Sequence, residues 1–146
     1  MKKILAVMLL LAAVSTLGYG QCDKKVILTS SKTEHLGADS AVQDTKDEQT
    51  VVEFDKTNIT VSISAGGEDH KMTGTVTSYN CNWQTPFKEG RTVIKVNLSD
   101  HDGGDTKKIT ITIEGKGGKV KLLAEIDDEA NRKIRLNADS FLEKNG

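Results

Sequence analysis

The segment Lys107–Glu114 alternates without a break: Ile109, Ile111 and Ile113 fall on one side of an extended chain, and Lys108, Thr110, Thr112 and Glu114 on the other. A two-residue period in apolar side chains marks a half-buried β-strand, because successive side chains of a pleated strand point to opposite faces. The same period recurs along the chain. Val120, Leu122, Ala124 and Ile126 alternate with Lys119, Lys121 and Glu125, and Ile59, Val61 and Ile63 with Thr60, Ser62 and Ser64. Ile94, Val96 and Leu98 alternate with Lys95 and Asn97, Ile134 and Leu136 with Arg135 and Asn137, and Met72, Gly74 and Val76 with Lys71, Thr73, Thr75 and Thr77. The β-branched residues that supply both faces lose side-chain freedom in a helix and pack well on a pleated surface.

Adding Val26–Thr29 and Thr50–Asp55, the pattern predicts about eight strands. Turn residues separate them: Asp55–Asn58, Ala65–Asp69, Asp100–Asp105 and Gly115–Gly118. Connections this short cannot hold a crossover helix, so neighbouring strands must be antiparallel. Each strand has one apolar face to bury, and a single sheet of this size buries it by closing into a barrel or by splitting into a sandwich. Sequential hairpins favour an all-β, antiparallel up-and-down meander closed as a barrel, with a β-sandwich as the alternative; closure also removes exposed strand edges.

Two stretches break the alternation. Ser30–Gln49 is polar and is expected to be a long loop or a hairpin around Gly37–Ser40. Tyr79–Gly90 holds the only tryptophan, Trp83, the only proline, Pro86, together with Cys81 and Phe87, and reads as an aromatic-rich loop.

Residues 1–20 have the layout of a cleavable export signal: Lys2 and Lys3, an apolar run from Ile4 to Leu17, then Gly18-Tyr19-Gly20 as a small-x-small cleavage site. The run is shorter than the roughly twenty residues a membrane-spanning helix needs, and no later segment approaches that length. The expected mature chain is residues 21–146, one domain, periplasmic or secreted, with no membrane span. Cys22 beside the cleavage point also raises lipid attachment as an alternative, although Gln21 occupies a position where a small residue is wanted. The leader holds two of the 20 basic residues and none of the 21 acidic ones, so the remainder carries a net charge of −3. That mild, mixed charge offers no basic field for nucleic acid. An even cysteine pair outside the cytoplasm is read as a disulfide, here Cys22–Cys81. Closing a loop of about sixty residues is worth about 4 kcal/mol in the chain-entropy estimate.

A short first strand, a polar excursion, a run of antiparallel hairpins and an export signal together resemble the small secreted lipocalin-like proteins of bacteria, particularly those of Bacteroidota. The likeness covers most of the mature chain and lies in pattern. Lipocalins proper carry Gly-x-Trp on their first strand, where this chain reads Asp23-Lys24-Lys25-Val26-Ile27-Leu28. The resemblance implies a lipocalin-like barrel that binds a ligand.

Candidate chemistry is sparse. Asp100, Asp102 and Asp105, interleaved with Gly103 and Gly104, offer oxygen ligands for Ca²⁺, but the EF-hand spacing is not met and Asp-Gly clusters also serve hairpin turns. His35, His70 and His101 are scattered, without metal-ligand spacing. No nucleophile elbow, P-loop or dinucleotide fingerprint is present, and no cofactor is expected. Tyr79, Trp83 and Phe87 are candidates for a contact surface at the barrel rim, or for packing into one end of the core beside the disulfide. The leading expectation is a non-enzymatic binding protein whose ligand is a small apolar molecule in the barrel or a protein or glycan partner at the rim. The alternatives are a protein-facing inhibitor or envelope-assembly module using the Tyr79–Phe87 segment, and an enzyme whose scattered His, Asp and Glu residues converge in a cleft.

Overall fold

A computed structural model describes residues 20–144; the expected leader, up to residue 19, lies outside the described residues. After a 3-10 turn at Gln21–Asp23 the chain forms nine strands: β1 (Val26–Leu36), β2 (Val42–Phe54), β3 (Asn58–Ala65), β4 (Glu68–Thr85), β5 (Glu89–Asp100), β6 (Lys107–Lys116), β7 (Lys119–Ile126), β8 (Lys133–Asn137) and β9 (Ser140–Glu143). Among the described residues no helix is long and apolar enough to cross a membrane.

Each strand from β2 to β7 pairs antiparallel with the next, and β1 pairs with both β8 and β2. The meander therefore closes into an eight-stranded up-and-down barrel, the lipocalin-like architecture expected. The ninth strand is an addition to the expected set. β9 lies against Val26–Thr29 of β1, while β8 lies against Thr33–Leu36 of the same edge. Four residues after a bend, with one alternation at most, left β9 no periodic signal.

Two departures from the expected strand boundaries share one cause. In β1 the register with β2 shifts between Ser30 and Lys32. Before this bulge Val26, Leu28 and Ser30 are the buried residues; after it Thr33 is, and Leu36 follows a second shift between His35 and Leu36. In β4 the register with β5 shifts between Val76 and Ser78. Met72 and Val76 pack against the core before that bulge, and Tyr79, Cys81 and Trp83 after it. One inserted residue moves every later side chain to the opposite face, so a simple alternation stops matching although the strand continues. Tyr79–Gly90 is thus the end of β4, a tight turn at residues 86–88 and the start of β5, not a loop. Ser30–Gln49 is the β1–β2 hairpin, turning at residues 37–41. Its far end projects: β3 pairs with β2 only from Gln49 onward, leaving Val42–Glu48 paired with β1 alone.

The strands run alternately up and down, so the barrel has two distinct ends. The β2–β3, β4–β5 and β6–β7 turns share one end with the N-terminal 3-10 turn and β9; the β1–β2, β3–β4, β5–β6 and β7–β8 connections ring the opposite mouth. Leu28, Phe54, Ile59, Ile94 and Ile113 are fully buried toward the first end. Ile63, Met72, Ile109, Ala124 and Ile134, nearer the mouth, are only partly buried.

The β1–β8 seam is held on its outer face by charge. Arg135 Nη2 donates to Glu34 Oε2 at 2.8 Å and Asn137 Nδ2 to Glu34 Oε1 at 2.6 Å. The Arg135 hydrogen bond holds the Glu34 carboxyl below its ordinary value of 4.5, against the opposing effect of burial and with help from Asn137. A carboxyl depressed on folding stabilises the native state above its ordinary value, and that stability is lost as pH falls through the lower folded value. Glu34→Gln is expected to lower stability by about 1 kcal/mol at neutral pH, with the gap to the parent protein closing as pH drops below the carboxylate range. Urea melts across pH check this; a gap that is the same at every pH would remove Glu34 from the seam.

Candidate functional site

The turn-rich end of the barrel is plugged. Cys22 and Cys81 form a disulfide with a Cα–Cα distance of 5.8 Å, tying the 3-10 turn to β4. Gln21 is buried beside it, and its Oε1 accepts the Phe87 backbone N–H at 2.7 Å. Trp83 is 4% exposed and its Nε1 donates to Thr92 Oγ1 at 2.7 Å. Its indole rests where a Cβ on Gly115 would lie 2.6 Å from Trp83 Cζ3, so only glycine leaves the ring its place. Phe141 of β9 packs against both Trp83 and Phe87, with ring centroids 5.6 and 5.1 Å away. Tyr79 is partly buried against Phe54, and burial, with the Asp23 and Asp55 carboxylates adding, pushes its phenol above the ordinary value. Trp83 and Phe87 therefore pack around Phe141 at the plugged end, and Tyr79 packs beside Phe54.

The acidic loop after β5 also takes its structural role. Asp100 ends β5, Gly103 adopts φ 85°, and its N–H bonds the Asp100 carbonyl at 3.1 Å, closing a turn. Among the described residues no three His, Cys, Asp or Glu side chains come together as a metal would need. Asp100, Asp102 and Asp105 form no such group; Asp100 instead faces His70, with Nε2 2.8 Å from Oδ1.

What the open half of the barrel encloses is a cavity of about 320 Å³. Its size lies within the roughly 300–1,000 Å³ typical of small-molecule sites. The alternating faces build it directly. Leu98 of β5, Ile109 and Ile111 of β6, and Leu122, Ala124 and Ile126 of β7 give a continuous apolar wall. Strands β1 and β2 give a different one, of Thr33, His35, Glu48 and Thr50. Thr33 Oγ1 and Thr50 Oγ1 satisfy each other at 3.4 Å. His35 Nε2 is buried without any hydrogen-bond partner. At the mouth Lys107 and Arg132 both reach Glu129, at 3.3 and 2.9 Å, and hydrogen bonds from Arg132 and Lys107 hold the Glu129 carboxyl below its ordinary value. Other depressions lie on the outside of the barrel, along β4–β6 and β6–β8, and are more open to solvent.

The apolar wall was predictable from the alternation. The polar wall was not, because it stands beyond the β1 bulge in a stretch whose composition suggests a loop. Comparisons of the chain with protein-family models, with curated proteins and with solved structures find no match.

Replacing both bridging cysteines, Cys22→Ser with Cys81→Ser, is expected to lower stability by up to about 4 kcal/mol, read as a shift in the urea midpoint. No shift would mean that Gln21 and the aromatic packing hold the plug unaided.

Proposed function

We propose that the mature chain is a non-enzymatic binding protein of the periplasm or the secreted space that carries a small apolar ligand in the open half of its barrel. The observation that carries this reading is the mainly apolar cavity of about 320 Å³ that opens at one end of an otherwise packed interior. Protein interiors are normally packed with few voids larger than a water molecule. A cavity of this size lined by Leu, Ile and Ala favours an apolar occupant, because filling it removes apolar surface from water at about 25 cal/mol per Å². The plugged opposite end supports the same reading, since a firmly closed floor lets the mouth half stay open without loss of the fold. The Cys22–Cys81 bridge supports a place outside the cytoplasm, where such bonds persist.

The neutral fluorophore N-phenyl-1-naphthylamine is the direct test. Saturable binding with a blue-shifted emission is expected for the parent protein. Ala124→Phe places a ring in the cavity from β7 and is expected to weaken binding at least tenfold while leaving the melting temperature unchanged or raised. Absence of saturable binding by the parent protein, or undiminished binding by a folded Ala124→Phe, would falsify the reading.

A further inference from the structure

The polar wall of the cavity specifies more than size, and the inference drawn from it rests on the binding role proposed above. A buried polar atom without a partner is costly, and nearly all such atoms in folded proteins are paired. His35 Nε2 is the one buried side-chain nitrogen or oxygen among the described residues that has none. It belongs to a residue lining the cavity, and its neighbours on the same wall do not relieve it, because Thr33 and Thr50 pair with each other.

We propose that His35 is the polar anchor of the ligand, and that the ligand is an uncharged apolar molecule bearing a hydroxyl group, as in a phenol or an alcohol. Two observations select the hydroxyl. The first is that a neutral imidazole nitrogen is either a donor or an acceptor, and a hydroxyl complements both. The second is the charge around the cavity. Glu48, Asp100 and Asp105 all line it, while its two cations, Lys107 and Arg132, are both already engaged by Glu129. An anionic head group would meet these carboxylates with no free cation among the lining residues to offset them. The apolar body is matched by the opposite wall, since β5 and β6 stand across the barrel from β1 and carry Leu98, Ile109 and Ile111.

The test compares three probes of one shape, naphthalene, 2-naphthol and 2-naphthoate, by titration calorimetry at neutral pH. For the parent protein, 2-naphthol is expected to bind about tenfold tighter than naphthalene, with 2-naphthoate the weakest. In His35→Leu the preference for 2-naphthol over naphthalene is expected to vanish, with naphthalene binding at least as well as before. Equal binding of 2-naphthol and naphthalene by the parent protein would overturn the anchor and leave the binding role standing. The same holds for tighter binding of 2-naphthoate, or for a preference that survives in His35→Leu. Failure of all three probes to bind would overturn both. If His35→Leu does not fold, the nitrogen resonances of His35 in the parent protein decide. A shift of Nε2 with 2-naphthol and not with naphthalene supports the anchor, and no difference between the two rejects it.

Discussion

Strand β1 is the element on which the barrel depends. Along one edge it is bonded to β2 from Val26 to Leu36, and along the other it is shared between β9 and β8. Backbone donors and acceptors that lie in an interior must be paired, and a sheet with alternating apolar faces stays open, with two sticky edges, until one strand accepts partners on both sides. β1 does this with a bulge in its middle. The Ser30 side chain answers the irregularity, its hydroxyl oxygen lying 2.9 Å from the carbonyl oxygens of both Lys32 and Asn137. Closure and the change of phase are thus one local event.

That change of phase divides the interior chemically. Below it β1 contributes Val26 and Leu28 to a tightly packed floor; above it the same strand contributes Thr33 and His35 to the wall of a cavity. β4 behaves in a complementary way: Met72 faces the cavity before its bulge, and Trp83 fills the floor after it. The two irregular strands let one continuous sheet be oily and solid at one end, hollow and partly polar at the other.

The limits of sequence reasoning follow from the same geometry. Where a strand keeps one phase from end to end, as β6 and β7 do, alternation identifies the element and its buried face: Ile111, Ile113 and Leu122 lie where the pattern puts them. Where a bulge intervenes, composition becomes misleading. Lys32, Glu34 and His35 look like loop residues until the extra residue is counted, and Trp83 looks like a surface anchor until Gly90 and Gly115 are seen to make room for its ring. The Asp100–Asp105 stretch shows the converse case, a ligand-like spelling whose backbone simply turns. A site assembled from strands that meet only on closure has no footprint in linear spacing, which is why His35 could be placed only by the fold.

Both termini of the described chain leave the molecule at the same pole. The 3-10 turn at Gln21–Asp23 is bonded to β4 there, and the Lys144 N–H reaches the Lys25 carbonyl at 2.9 Å. Anything joined ahead of residue 20 or after residue 144, be it an anchor, a carrier or an affinity handle, departs from the side facing away from the hollow. The domain can be tethered by either end and still present its opening to the surrounding fluid.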